Sequence, residues 1–103
     1  MSDYYAITLK TEVLCEFASI INARYTRYMH ENGIDFDDET NILALNRWET
    51  VRSKREMLHC ETLEELMVFE NRLKELRSEI ESKEEEEKCQ KNYWHSVLKA
   101  SSQ

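Results

Sequence analysis

TLEELMVFENRLKELRSEIES, residues 62–82, is the stretch from which the fold can be read. Its large apolar residues are Leu63, Leu66, Phe69, Leu73, Leu76 and Ile80, with Met67 and Val68 beside them. Steps of three and four carry Leu66, Phe69, Leu73, Leu76 and Ile80 along one stripe, the spacing of an amphipathic helix. Thr62 followed by Glu65 has the pattern of a capping box, in which each side chain satisfies an orphan backbone N–H at the helix start. Most other positions hold Glu, Lys or Arg, good helix formers on a wetted face.

Composition extends this helix to a class. The chain has 103 residues, no Pro and a single Gly, Gly33. A domain of that size buries roughly 65% of its unfolded surface. Sandwiches and α/β folds need many turn residues, so their absence predicts few, long helices. The balance of 14 basic against 21 acidic residues gives a net charge of −7. Such a field repels nucleic acid and anionic membrane surfaces and favours basic protein partners. Cys15, Cys60 and Cys89 are odd in number and form no C-x-x-C pair, which points to reduced thiols and a cytoplasmic protein. Residues 1–12 lack the basic region and apolar core of a signal peptide, and no apolar run approaches the ~20 residues of a membrane span.

Upstream, Ile7, Leu14, Phe17, Ile21, Tyr25 and Tyr28 keep steps of three, four and seven, predicting a first helix over about 3–32. Val13, Ala18, Ile20 and Met29 widen its apolar face, as packing on more than one neighbour would require. Asn32 and Gly33 mark its end, with Ile34 placed for the apolar contact of a Schellman motif. An acidic connector at 33–37 leads to a second helix over about 38–58, with Asp37 as the expected N-cap. That helix is expected to bury Ala44, Leu45, Trp48, Val51 and Leu58. A third helix is expected over about 62–98, and an interruption near 82–92 is left open. The whole reads as one domain, 1–103: an all-α, three-helix up-down-up bundle with a long, partly coiled-coil-like C-terminal helix.

No chemistry emerges from the side chains. Zinc needs four convergent N or S ligands, and His59 beside Cys60 points to different sides of a helix. No spacing marks a Cys–His nucleophile, and one glycine makes neither a P-loop nor a dinucleotide fingerprint. The expectation is therefore no catalytic residue, no metal and no cofactor: not an enzyme.

Four surface patterns are weighed instead. The acidic positions, among them Glu84, Glu85, Glu86 and Glu87, are ordinary solvated helix face or an imitation of a nucleic-acid backbone. Beyond a polar spacer, Tyr93, Trp94, Val97 and Leu98 return at helical spacing, ~18 Å past Ile80 if the helix is continuous. They either fold back or anchor a second copy or a foreign protein. Arg24, Tyr25, Arg27 and Tyr28, with Trp48, would suit a nucleotide-like anion. Against this stands the ordinary account of tyrosines in the core and arginines answering nearby acids. The basic stretch 47–55 alone resembles a nucleic-acid helix, but the net charge opposes nucleic acid as a partner.

The function expected is a small acidic, non-catalytic adaptor, regulator or inhibitor of a protein partner, homo-oligomeric, contacting through Glu84–Glu87 and Tyr93, Trp94, Val97 and Leu98. The rival is an oligomeric helical binder of a small anionic ligand at Arg24, Tyr25, Arg27, Tyr28 and Trp48.

Overall fold

A computed structural model describes the backbone of residues 2–101 and the side chains of residues 3–90. It contains three helices, α1 (Ser2–Glu31), α2 (Ile42–Met57) and α3 (Leu63–Ser101). Cross-helix bonds give their directions. Lys10 pairs with Glu70 and Arg24 with Glu84, so α1 and α3 run parallel. Asn22 meets Thr50 and Tyr25 meets Asn46, so α2 runs against α1. The bundle is up-down-up, with α1 packed on both other helices.

The ends of α1 and α3 follow local chemistry. Ile34 N–H donates to Met29 O at 2.9 Å and Gly33 N–H to His30 O at 3.3 Å. This is the Schellman pair, and Gly33 supplies the left-handed residue at φ 66°. At the start of α3, Glu65 N–H donates to Thr62 Oγ1 at 3.1 Å, while the Glu65 carboxylate accepts from Glu61 N–H at 3.2 Å. The capping box thus closes one residue further out than the simplest pattern. From there α3 continues helical to Ser101, without an interruption at 82–92.

The connector corrects the expected start of α2. Asp35 Oδ1 accepts from Asp37 N–H, and Asp38 Oδ1 accepts from Thr40 N–H and the Thr40 hydroxyl. These short side-chain bonds hold the backbone in turns and compete with helix formation. The cap is therefore Asn41, whose Oδ1 accepts from Leu43 N–H at 2.9 Å, and not Asp37.

The core is built from Leu14, Ala18, Ile21, Tyr25 and Met29 on α1, Leu43, Ala44 and Met57 on α2, and Leu66, Leu73, Leu76 and Ile80 on α3. Ile7, Phe17, Tyr28 and Phe69 flank it, half-buried. On α1 and α3 the stripe is the one that periodicity predicts. On α2 it is not. The buried positions there include Asn46, Thr50 and Ser53, whereas Leu45, Trp48 and Leu58 are exposed and Val51 only half-buried. Leu43, Asn46, Thr50, Ser53 and Met57, at steps of three and four, form the inward face.

Asn46 and Thr50 are accommodated on that face because α1 supplies partners for them. Asn22 Nδ2 donates to Thr50 Oγ1 at 2.9 Å, Thr50 Oγ1 to Arg47 O at 2.6 Å, and Arg47 Nε to Thr26 Oγ1 at 3.0 Å. Asn46 Nδ2 reaches Tyr25 Oη at 3.3 Å and Glu79 Oε2 at 2.5 Å. No buried side-chain N or O among the described residues lacks a partner. Once bonded, buried polar groups cost little, so a hydropathy count misjudges which side of α2 faces in.

Leu73→Ala or Leu76→Ala should destabilise the fold by about 2–5 kcal/mol in urea titration, as deletion of a fully buried leucine does. The exposed Glu85→Ala should stay within about 0.5 kcal/mol. Equal effects would mean that the α3 stripe does not carry the core.

Tyr25 allows a pH test. Burial pushes its hydroxyl up to about 12, with the nearby Glu79 charge acting in the same direction against an opposing hydrogen bond from Asn46. A raised pKa in the folded state stabilises the protein below the unfolded value, about 10, and this contribution is lost as pH climbs from about 10 to about 12. Tyr25→Phe, which leaves the Leu76 carbonyl without its extra donor, should cost about 1–3 kcal/mol at neutral pH. Denaturation midpoints should show that gap narrowing between about pH 10 and 12; a constant gap would count against the buried neutral hydroxyl.

Candidate functional site

With its polar side turned inward, α2 presents Leu45 and Trp48 outward, each 45% exposed. The connector folds beside them. Phe36, Asp37, Asp38 and Glu39 on one side, and Ala44, Leu45, Trp48 and Arg52 on the other, line a cleft of about 640 Å³. Phe36 is half-buried, with the Arg47 guanidinium 4.5 Å from its ring centre, a cation–π contact that holds the connector to α2. The hydrogen bonds from Thr40 hold the Asp38 carboxyl below the usual range, so it is ionised at neutral pH.

A second apolar surface lies on α1. Tyr5, Leu9, Val13 and Ile20 follow one another at steps of four, four and seven, and all are exposed. They share a face roughly opposite the buried stripe of Leu14, Ala18, Ile21 and Tyr25. Val13 and Ile20 therefore do not widen a packed face, as expected from the sequence; they stand in water because neither α2 nor α3 reaches round to them. The four-and-seven spacing was readable in the sequence as a second stripe, a signal hidden by the stronger one beside it.

The remaining candidates are dispersed. Tyr25 is fully buried, its hydroxyl donating to Leu76 O at 2.7 Å. Arg24 holds Glu84 at 2.9 Å and Glu81 at 3.2 Å, and Arg27 reaches Glu84 at 3.4 Å. The small cleft beside Arg27 and Tyr28, about 180 Å³, is also lined by Glu31, Glu84, Glu87 and Lys88, so its three carboxylates outnumber its two cations. Trp48 looks out from α2 into the cleft that it lines with Phe36 and Arg52. Glu85 and Glu86 are exposed. The side chains of Tyr93, Trp94, Val97 and Leu98 lie outside the described residues.

Among the described residues no group of His, Cys, Asp or Glu is arranged to hold a metal. Cys60 bonds weakly to Glu56 O at 3.7 Å, and burial together with the charges of Glu65 and Glu56 pushes its thiol up. An activated nucleophile would need the opposite shift. No helix of the described residues is long and apolar enough to cross a membrane.

What the arrangement offers is surface: an apolar stripe on α1 and an acid-rimmed cleft on α2, both suited to contact with another protein. Comparison with curated proteins and with solved structures returns no match. The family of bacterial epsilon antitoxins does match, over residues 3–83, a span that takes in α1, the connector, α2 and the part of α3 that carries the core. The chain belongs to the bacterial epsilon antitoxin family.

Proposed function

We propose that this protein is a non-catalytic antitoxin that neutralises a toxin protein by docking on it, with the outward face of α1 as the contact. Membership of the antitoxin family supports an inhibitor that works through a protein partner. The observation that carries the contact is the α1 stripe, where Tyr5 is 72%, Leu9 49%, Val13 52% and Ile20 58% exposed. Aromatic and aliphatic side chains aligned along a rigid helix are the usual anchors of a helix-in-groove interface. The partner would meet the inhibitor in the cytoplasm.

Imitation of nucleic acid has less support. Glu84 is answered by Arg24 and Arg27, and Glu81 by Arg24 and Arg77, so part of the acidic surface is neutralised within the chain. The anionic-ligand alternative loses Tyr25 to the core and its arginines to Glu84.

The test is capture from a lysate of the bacterial host on the immobilised protein. Wild type should return one protein in stoichiometric amount, which arrests growth when expressed alone and is relieved by co-expression of this chain. Tyr5→Ala with Leu9→Ala should weaken that capture about tenfold or more, the loss expected at anchor residues. Capture of no such protein, or equal capture by the variant, would overturn the reading.

Self-association belongs to the same proposal. Light scattering should give at least a dimer, and Trp94→Ala with Leu98→Ala should shift it toward monomer. A wild type that stays monomeric at high micromolar concentration would remove the homo-oligomer and leave the antitoxin reading in place.

A further inference from the structure

The cleft beside α2 is a surface separate from the α1 contact, and three features define what fits it. Its floor is apolar and aromatic, from Ala44, Leu45, Trp48 and Phe36. Its connector rim carries three carboxylates, Asp37, Asp38 and Glu39. Among the described residues neither Asp37 nor Glu39 has an ion pair. By contrast, carboxylates along the helix seams hold cations: Glu70 takes Lys10, Glu84 takes Arg24, and Glu49 takes Arg72. The chain therefore answers its seam charges internally and leaves this rim open.

We infer that the cleft receives an arginine or lysine side chain carried next to an apolar residue on a protein partner. The apolar stem lies along Leu45 and Trp48, and the cationic head meets Asp37, Asp38 and Glu39. Arg52 also lines the cleft, and its charge disfavours a second cation beside it, so the head is directed to the connector carboxylates. Phe36 already holds the Arg47 guanidinium on its ring, and Trp48 offers a stronger aromatic face to an incoming cation. A nucleic acid or an anionic lipid surface would set phosphates against three carboxylates and is excluded by the same charge.

This inference goes beyond the α1 contact and is tested without the toxin, so failure of either leaves the other standing. The protein has two tryptophans. In Trp94→Phe protein, the indole N–H resonance of Trp48 reports on the cleft alone. The probes are a short capped peptide of alternating leucine and arginine and its counterpart with glutamate in place of arginine. The arginine peptide should shift the Trp48 resonance saturably, and the glutamate peptide should not. Asp37→Asn with Glu39→Gln should weaken binding about threefold or more, the loss expected for two exposed ion pairs. Raising salt to about 1 M should weaken it in the parent protein as well, which decides the matter if the variant misfolds. An unmoved resonance, an equal response to both peptides, or binding indifferent to salt and to the substitutions would overturn the inference. So would a Trp48 shift on concentrating the protein alone, since that would assign the cleft to a second copy.

Discussion

The Tyr25 hydroxyl is where the three helices meet. It donates to Leu76 O at 2.7 Å and accepts from Asn46 Nδ2 at 3.3 Å, joining α1, α3 and α2 at one fully buried group. A phenol removed from water without partners would be strongly destabilising, so its burial requires both neighbours in register. Sliding α2 by one turn would remove Asn46, and sliding α3 would remove the carbonyl. Apolar contacts around it tolerate small displacements; this node does not.

The same requirement explains why α2 faces the way it does. Asn46 and Thr50 turn inward because Tyr25, Asn22 and Thr26 on α1 complete a bonded network with them and Arg47. The short side chains of Thr50 and Ser53 also let the two helices pack closely. The helix then has its larger apolar groups left over, and Leu45 and Trp48 stand outside. Exposed apolar surface on a small acidic protein is unfavourable by itself, and the disposition makes sense for a protein that works by being covered.

Charge follows a similar division. Lys10–Glu70, Arg24–Glu84 and Arg72–Glu49 lie across helix seams, where they hold relative position more than they add stability. Exposed pairs of this kind contribute about 0–1 kcal/mol each. The Arg72 guanidinium, held by both oxygens of Glu49 at 2.6 and 3.0 Å, is the best formed. Among the described residues, Asp37 and Glu39 on the connector, beside the aromatic cleft, have no such ion pair.

Sequence alone determined what repeats locally. The spacing of Leu66, Leu73, Leu76 and Ile80, the Thr62–Glu65 cap and the Asn32–Gly33 stop each depend on residues within about two helical turns, so helix identity and most boundaries were legible. The all-α bundle followed from these and from the lack of Pro. Tertiary structure alone decided which side of each helix would be buried where two apolar stripes or a polar stripe competed. Leu45 and Trp48, expected inside, stand outside, and of the two readings of Tyr25, stripe residue or ligand group beside Arg24 and Arg27, the core one holds. The start of α2 shifted for a related reason, since Asp35 and Asp38 bond their own backbone before a helix can begin. Burial of a polar face is decided by partners on another helix, Asn22 and Tyr25 for Thr50 and Asn46, and pairing across more than twenty residues leaves no periodic trace in the chain.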